Sequence, residues 1–133
     1  MAESGDRREV ASAKAPAAIG PYSQALQANG FVFVSGQIGL DPATGELEAG
    51  GFKAQARRVL RNLGAVLEAG GVGFDDVVKV TIYLSDIADF ADMNSVYAEY
   101  FRDPFPARAV VEVAALPKGA GVEMELVALA PRA

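Results

Sequence analysis

The sequence contains no cysteine and no histidine. Without cysteine there is no disulfide, no thiol nucleophile and no thiolate-held iron–sulfur or zinc centre. Without histidine, Ser-His-Asp and Cys-His catalysis, imidazole-ligated zinc and the usual general base near neutral pH are all excluded. Any chemistry falls to Asp, Glu, Arg, Lys, Tyr, Ser, Thr, backbone groups and water. Positive charge is also in short supply, with 12 Lys and Arg against 17 Asp and Glu for a net charge of −5. Gripping phosphates needs a basic face, so no nucleic-acid partner is expected. No apolar run reaches the roughly 18 residues of a membrane span. The opening stretch MAESGDRREVASAKAPAA lacks the apolar core of a signal peptide. The expectation is a cytoplasmic protein with no membrane partner.

The 133 residues fit one domain, on a prior of roughly 100–200 residues per domain. An apolar fraction of 51% argues against disorder. Residues 1–13 are small, charged and aperiodic and read as a flexible N-terminal tail, although residues 9–15 could lie along the body as a strand. Residues 14–130 read as the domain. A strand over 22–28, the hairpin dipeptide Asn29-Gly30 and a β-branched, aromatic strand over 31–37 follow one another. Turn chemistry at Asp41-Pro42-Ala43-Thr44-Gly45 ends this unit. Phe52, Ala56, Val59, Leu60, Leu63, Val66 and Leu67 then share one face of a helix over 52–69. Gly70-Gly71 supplies its stop.

Residues 77–84 read as a strand. A second helix starts near Asp86 or Ala88 and carries the stripe Ile87, Phe90, Met93, Tyr97, Tyr100 and Phe101. The prolines at 104 and 106 stop it. Strands over 108–116 and 122–129 close the chain. The order ββαβαββ implies an α+β domain with helices on one sheet face. The last two strands are apolar at nearly every position, so the other face also needs cover, and a second subunit is the simplest cover.

Four groups of residues could carry chemistry. Arg108 opens an apolar strand, either as an edge residue in a surface ion pair or as a fork for a carboxylate. Glu123 and Glu125 alternate onto one strand face, as a solvated stripe or as a proton-handling pair. In Gly20-Pro21-Tyr22-Ser23-Gln24, a fixed turn delivers two hydroxyls to a strand start. In Ser35-Gly36-Gln37, a glycine inside a strand marks a bulge or a close backbone approach by a ligand. There is no phosphate-binding GxxxxGK[ST] loop, no GxGxxG after a strand and no EF-hand spacing, so no metal site is expected.

Taken in order, these pieces resemble the RidA/YjgF family of reactive-intermediate (enamine/imine) deaminases. The matching segments are APAAIGPYSQ (15–24), FVFVSGQI (31–38), DPATGE (41–46), QARRVLRNL (55–63), VVKVTIYL (77–84), MNSVY (93–97), FPARAVVEVAALPK (105–118) and VEMELVALA (122–130). The resemblance implies a chorismate-mutase-like fold and a homotrimer with a central β-barrel and clefts between subunits. It implies hydrolysis of 2-imino acids such as 2-iminobutanoate and 2-iminopropanoate to 2-keto acids and ammonium, with no cofactor. The family's carboxylate-binding arginine falls on Arg108 and its water-orienting glutamate on Glu123. Its cleft tyrosine and serine fall on Tyr22 and Ser35, and Gly36 and Asn94 match cleft positions. Where some members carry cysteine this chain has Val110, whose backbone groups would hold the imine nitrogen. Two other activities compete: a non-catalytic module binding a small carboxylate at Arg108, and an endoribonuclease, which the acidic balance and the lack of histidine oppose. Chorismate mutase rests only on fold analogy.

Overall fold

The computed structural model describes residues 6–132. It contains six strands and two α-helices: β1 (Arg8–Val10), β2 (Ala25–Ala28), β3 (Phe31–Ile38), α1 (Phe52–Ala69), β4 (Val77–Leu84), α2 (Phe90–Tyr97), β5 (Ala107–Glu112) and β6 (Val122–Leu129). All strands lie in one sheet of order β1-β2-β3-β6-β4-β5. Only β4 and β5 run parallel. This is a single-domain α+β fold, as expected, with one strand more than the sequence pattern gave.

That extra strand corrects the reading of the N-terminus. Arg8–Val10, expected within a flexible tail, pairs antiparallel with β2. The apolar Val10 turns inward and is buried. Residues 1–5 of the expected tail lie outside the described residues.

The hairpin at Asn29-Gly30 forms, with both residues at positive φ (52° and 88°). Such a turn matches the twist of the flanking strands. Helix α1 spans 52–69 as its spacing dictates. Its stripe of Ala56, Val59, Leu60, Leu63, Val66 and Leu67 is fully buried. At its end the amide of Gly71 donates to the Glu68 carbonyl and that of Val72 to the Leu67 carbonyl. This closing motif needs positive φ at Gly71, which has 78°.

Three boundaries differ from expectation. The strand predicted over 22–28 starts at Ala25, because the Gly20-Pro21 turn keeps residues 20–24 out of the ladder. The second helix is broken into a 3₁₀ turn (Ile87–Asp89) and α2, which ends at Tyr97; Phe101 still packs inward. β5 ends at Glu112, whose carboxylate accepts from the Ile87 amide.

The helix-facing side of the sheet is a dry core. Val32, Val80, Ile82, Leu84, Val122, Met124 and Ala128 all have no exposed surface. The opposite side is not covered. Phe33 is 46% exposed, Leu129 46% and Val111 43%. Among the described residues no helix is long and apolar enough to cross a membrane.

Gln24 fixes the segment that leads into the sheet. Its buried side chain accepts from the Ser12 amide at 2.6 Å and donates to the Pro16 carbonyl at 2.7 Å and the Ser12 carbonyl at 3.2 Å. Removing one partner from buried hydrogen bonds costs about 1–3 kcal/mol. Gln24→Ala should therefore lower the urea midpoint and speed hydrogen exchange at residues 12–16, with exchange in β3 and β6 accelerated only in step with the loss of global stability.

Candidate functional site

Two half-sites lie on opposite faces of the sheet. The first is built on β3 and β6. β3 contains a bulge: Val34 opposes Leu126 and Gln37 opposes Met124, so Ser35 and Gly36 together face Glu125. A bulge bends a strand and re-aims its side chains. At this one the side chain of Glu123 crosses directly over Gly36. A Cβ at position 36 would overlap the Glu123 carboxylate and stand 3.0 Å from its Cδ. Of the bulge or close ligand approach that the sequence left open at Gly36, the bulge occurs, and the group lying against the glycine is the Glu123 carboxylate.

Glu123 and Gly36 line a cavity of about 280 Å³ together with Tyr22, Ile19, Ile38 and Pro117. Its walls are mostly apolar. Burial pushes the Glu123 carboxyl above the ordinary glutamate range, and the neighbouring Glu125 carboxylate pushes it further. Glu125 itself is exposed and accepts a 2.7 Å hydrogen bond from the Tyr83 hydroxyl. The two glutamates thus occupy different environments on one face. Ser35 lies beside the cavity, and its hydroxyl donates to the Ser23 carbonyl at 2.6 Å. That bond, with the Ser35 amide on the Gln24 carbonyl, moors the Gly20–Gln24 turn that carries Tyr22.

The second half-site is built on β5 and α2. Arg108 pairs in register with Val80, and Val110 with Ile82. Both partners are buried on the helix side, so Arg108 and Val110 face α2. The Arg108 guanidinium lies over the Tyr97 ring, 4.8 Å from its centroid, and 5.8 Å from that of Phe90. Asn94 shares this stripe at helical spacing between Phe90 and Tyr97, half-buried. No carboxylate of the described residues pairs with Arg108; the ion pairs are Lys14–Glu68, Lys53–Asp92, Arg57–Glu99, Glu48 with Arg58 and Arg61, and Arg102–Asp75. Arg108 is therefore not the edge residue of an internal salt bridge.

Tyr22, Gly36 and Glu123 are thus brought together, with Ser35 adjacent. Arg108, Asn94 and Val110 are brought together elsewhere. Tyr97 was read only as part of a helix stripe, and nothing in its spacing distinguishes a ring that packs a core from one that also backs an arginine. No cluster of carboxylates among the described residues is arranged to hold a metal.

A family model described as Endoribonuclease L-PSP matches residues 12–130. The chain belongs to this family. Its relatives include the human 2-iminobutanoate/2-iminopropanoate deaminase, 50% identical over 123 residues that cover 92% of this chain and 90% of that protein. A RutC family protein of Pyrococcus abyssi is 55% identical, covering 86% of this chain and 91% of its own. Among solved structures, RidA from an Antarctic Psychrobacter superposes with a TM-score of 0.88 at 48% identity, covering 92% of this chain and 98% of that chain. The YjgF gene product of E. coli gives 0.86 at 43%, covering 92% and 98%. The RidA/YjgF resemblance read from the sequence is thereby established.

In this RidA-family chain the geometry at Gly36 makes a specific demand. Gly36→Ala should expel the Glu123 carboxylate toward solvent while the sheet stays folded. Burial raises this group's pKa, so expulsion should lower it. Carboxyl-carbon NMR titration should show the Glu123 midpoint above the ordinary glutamate range in the parent chain and back toward that range in Gly36→Ala.

Proposed function

We propose that this chain hydrolyses 2-imino acids, 2-iminobutanoate and 2-iminopropanoate among them, to 2-keto acids and ammonium without a cofactor. The observation that carries this reading is Glu123: a carboxylate with a raised pKa, held over a glycine backbone in a largely apolar cavity. In a chain without histidine, such a group is the best-placed acceptor for a water proton. General-base assistance of this kind contributes typically 10²–10⁴-fold. The names of the relatives at about 50% identity point to the same reaction.

The mechanism needs little from the protein. A protonated imine is already electrophilic. Arg108 would bind the substrate carboxylate through two parallel N–H donors. Glu123 would orient the water, take its proton as the C–O bond forms and pass it to the nitrogen; as the C–N bond breaks and the carbonyl forms, the hydroxyl proton would move through Glu123 to the departing ammonia, giving ammonium. Tyr22, Ser35, Gly36 and Asn94 would line the cleft, and backbone groups at Val110 would hold the imine nitrogen.

One constraint governs how this could work. Arg108 and Glu123 point from opposite faces of one sheet, so a single chain cannot place both on one small substrate. A neighbouring copy can. The exposed apolar strip of Phe33, Leu129 and Val111 gives copies a reason to associate. A homotrimer closed around these sheets, with each cleft shared by two subunits, meets both requirements. An alternative in which Arg108 merely holds a regulatory carboxylate differs only in lacking turnover. RNA cleavage has less support, because the chain carries a net charge of −5 and has no histidine.

The test is a coupled assay in which a dehydratase releases the imine and semicarbazide traps it. The chain should divert imine from the trap, Arg108→Ala should not, and Glu123→Gln should turn over at least about 10²-fold more slowly. Unimpeded semicarbazone formation with the intact chain would leave the binding-module reading. Where two subunits share each cleft, co-refolding equal amounts of the two inactive variants should restore about a quarter of the sites. No recovery would place both residues on one subunit's cleft.

A further inference from the structure

Among the described residues, two aromatic rings hold the Arg108 guanidinium. The Tyr97 ring lies 4.8 Å beneath its guanidinium carbon and Phe90 flanks it at 5.8 Å. Both are within the roughly 6 Å reach of a cation–π contact. Tyr97 is itself immobilised: it is 5% exposed and stacks on Phe101 at 4.3 Å and 26°. A guanidinium lying over a ring keeps its N–H donors in its own plane, directed away from the ring. No carboxylate of the described residues occupies those donors. The result is a cation whose place over the ring is set before any ligand arrives.

We propose that Tyr97, flanked by Phe90, is a positioning residue: its ring fixes the plane of Arg108 so that the in-plane donors meet a substrate carboxylate. This rests on reading Arg108 as the carboxylate fork. The work is done by the ring and not by the hydroxyl. The Tyr97 oxygen is buried with no hydrogen-bond partner among the described residues, and burial holds the phenol neutral by pushing its pKa up. Preorganised binding groups lose less freedom on docking, so the cradle acts on substrate binding more than on the chemical step.

The experiment compares Tyr97→Phe, Tyr97→Leu, Phe90→Leu and Arg108→Ala in the full-length chain. Two quantities are read: KM and kcat for imine hydrolysis, and the preference for 2-oxobutanoate over its methyl ester by calorimetry. Tyr97→Leu should raise KM and narrow the acid-over-ester preference, each by roughly two- to thirtyfold, the span of cation–π strengths. Its kcat should hold. Tyr97→Phe should match the parent. Phe90→Leu, at a ring 40% exposed and outside the core, should move both quantities in the same direction by less, and it carries the test where Tyr97→Leu fails to fold. A folded Tyr97→Leu with the parent's KM and preference overturns the proposal, as do equal losses in Tyr97→Phe and Tyr97→Leu. Where Tyr97→Leu does not fold, parent values in Phe90→Leu overturn it. Loss of binding in Arg108→Ala with none in Tyr97→Leu removes the cradle and keeps the fork. An Arg108→Ala variant with the parent's affinity removes the fork itself.

Discussion

Side chains on a β-strand alternate between the two faces of the sheet, and that rule decides where this protein can place charge. One face is a closed apolar layer under two helices, so ionisable groups are driven to the other face or to the edges. Glu123 and Glu125 lie on the open face opposite Met124 and Leu126. Arg108 stays on the helix side only because β5 is the last strand of the sheet. There its head reaches past the core onto the Tyr97 ring. A cation in the middle of that layer would be buried without a partner and would cost several kcal/mol. The separation of the two half-sites thus follows from folding a single-layer sheet with one dry side.

The bulge in β3 is the second determinant. Without it Gly36 would stand one position out of phase, and the backbone would not open toward Glu123. With it, a carboxylate is desolvated by backbone and apolar walls and not by a partner charge. A neighbouring cation would pull its pKa down, as it does for Glu99 beside Arg57. Glu123 receives no such compensation and moves the other way. The same residue type is thereby a surface ion-pair member at one position and a carboxyl with a raised pKa at another.

Much of this was legible from periodicity. Helix α1 was readable because Ala56 to Leu67 repeat at three and four and two glycines follow. Strands β4 and β6 were readable as dense apolar runs of eight residues. The N-terminal strand was not, since Arg8, Glu9 and Val10 have no pattern of their own and are strand only because β2 offers an edge. Residues 22–24 misread as strand for the opposite reason: Gln24 has its side chain hydrogen-bonded to residues 12–16. For the site, Glu123, Arg108 and Gly36 stood out because each breaks an apolar pattern. Their distribution over two faces was hidden, because it depends on the register of β5 against β4 and no local signal reports that register. Tyr97 was hidden because core packing and arginine stacking ask for the same residue.

The way Gln24 and β1 share the N-terminal segment has a mechanical reading. Residues 12–16 lead straight into the cavity wall at Pro16 and Ile19, so a load on the front of the chain would otherwise deform that wall. Two clamps stand in series before it. The β1–β2 ladder takes the load first, and the four contacts of the Gln24 amide take what remains. A bulky domain or a surface tether attached ahead of residue 8 would pull on the ladder and leave the cavity slack, whereas the same attachment after residue 16 would pull on the wall itself.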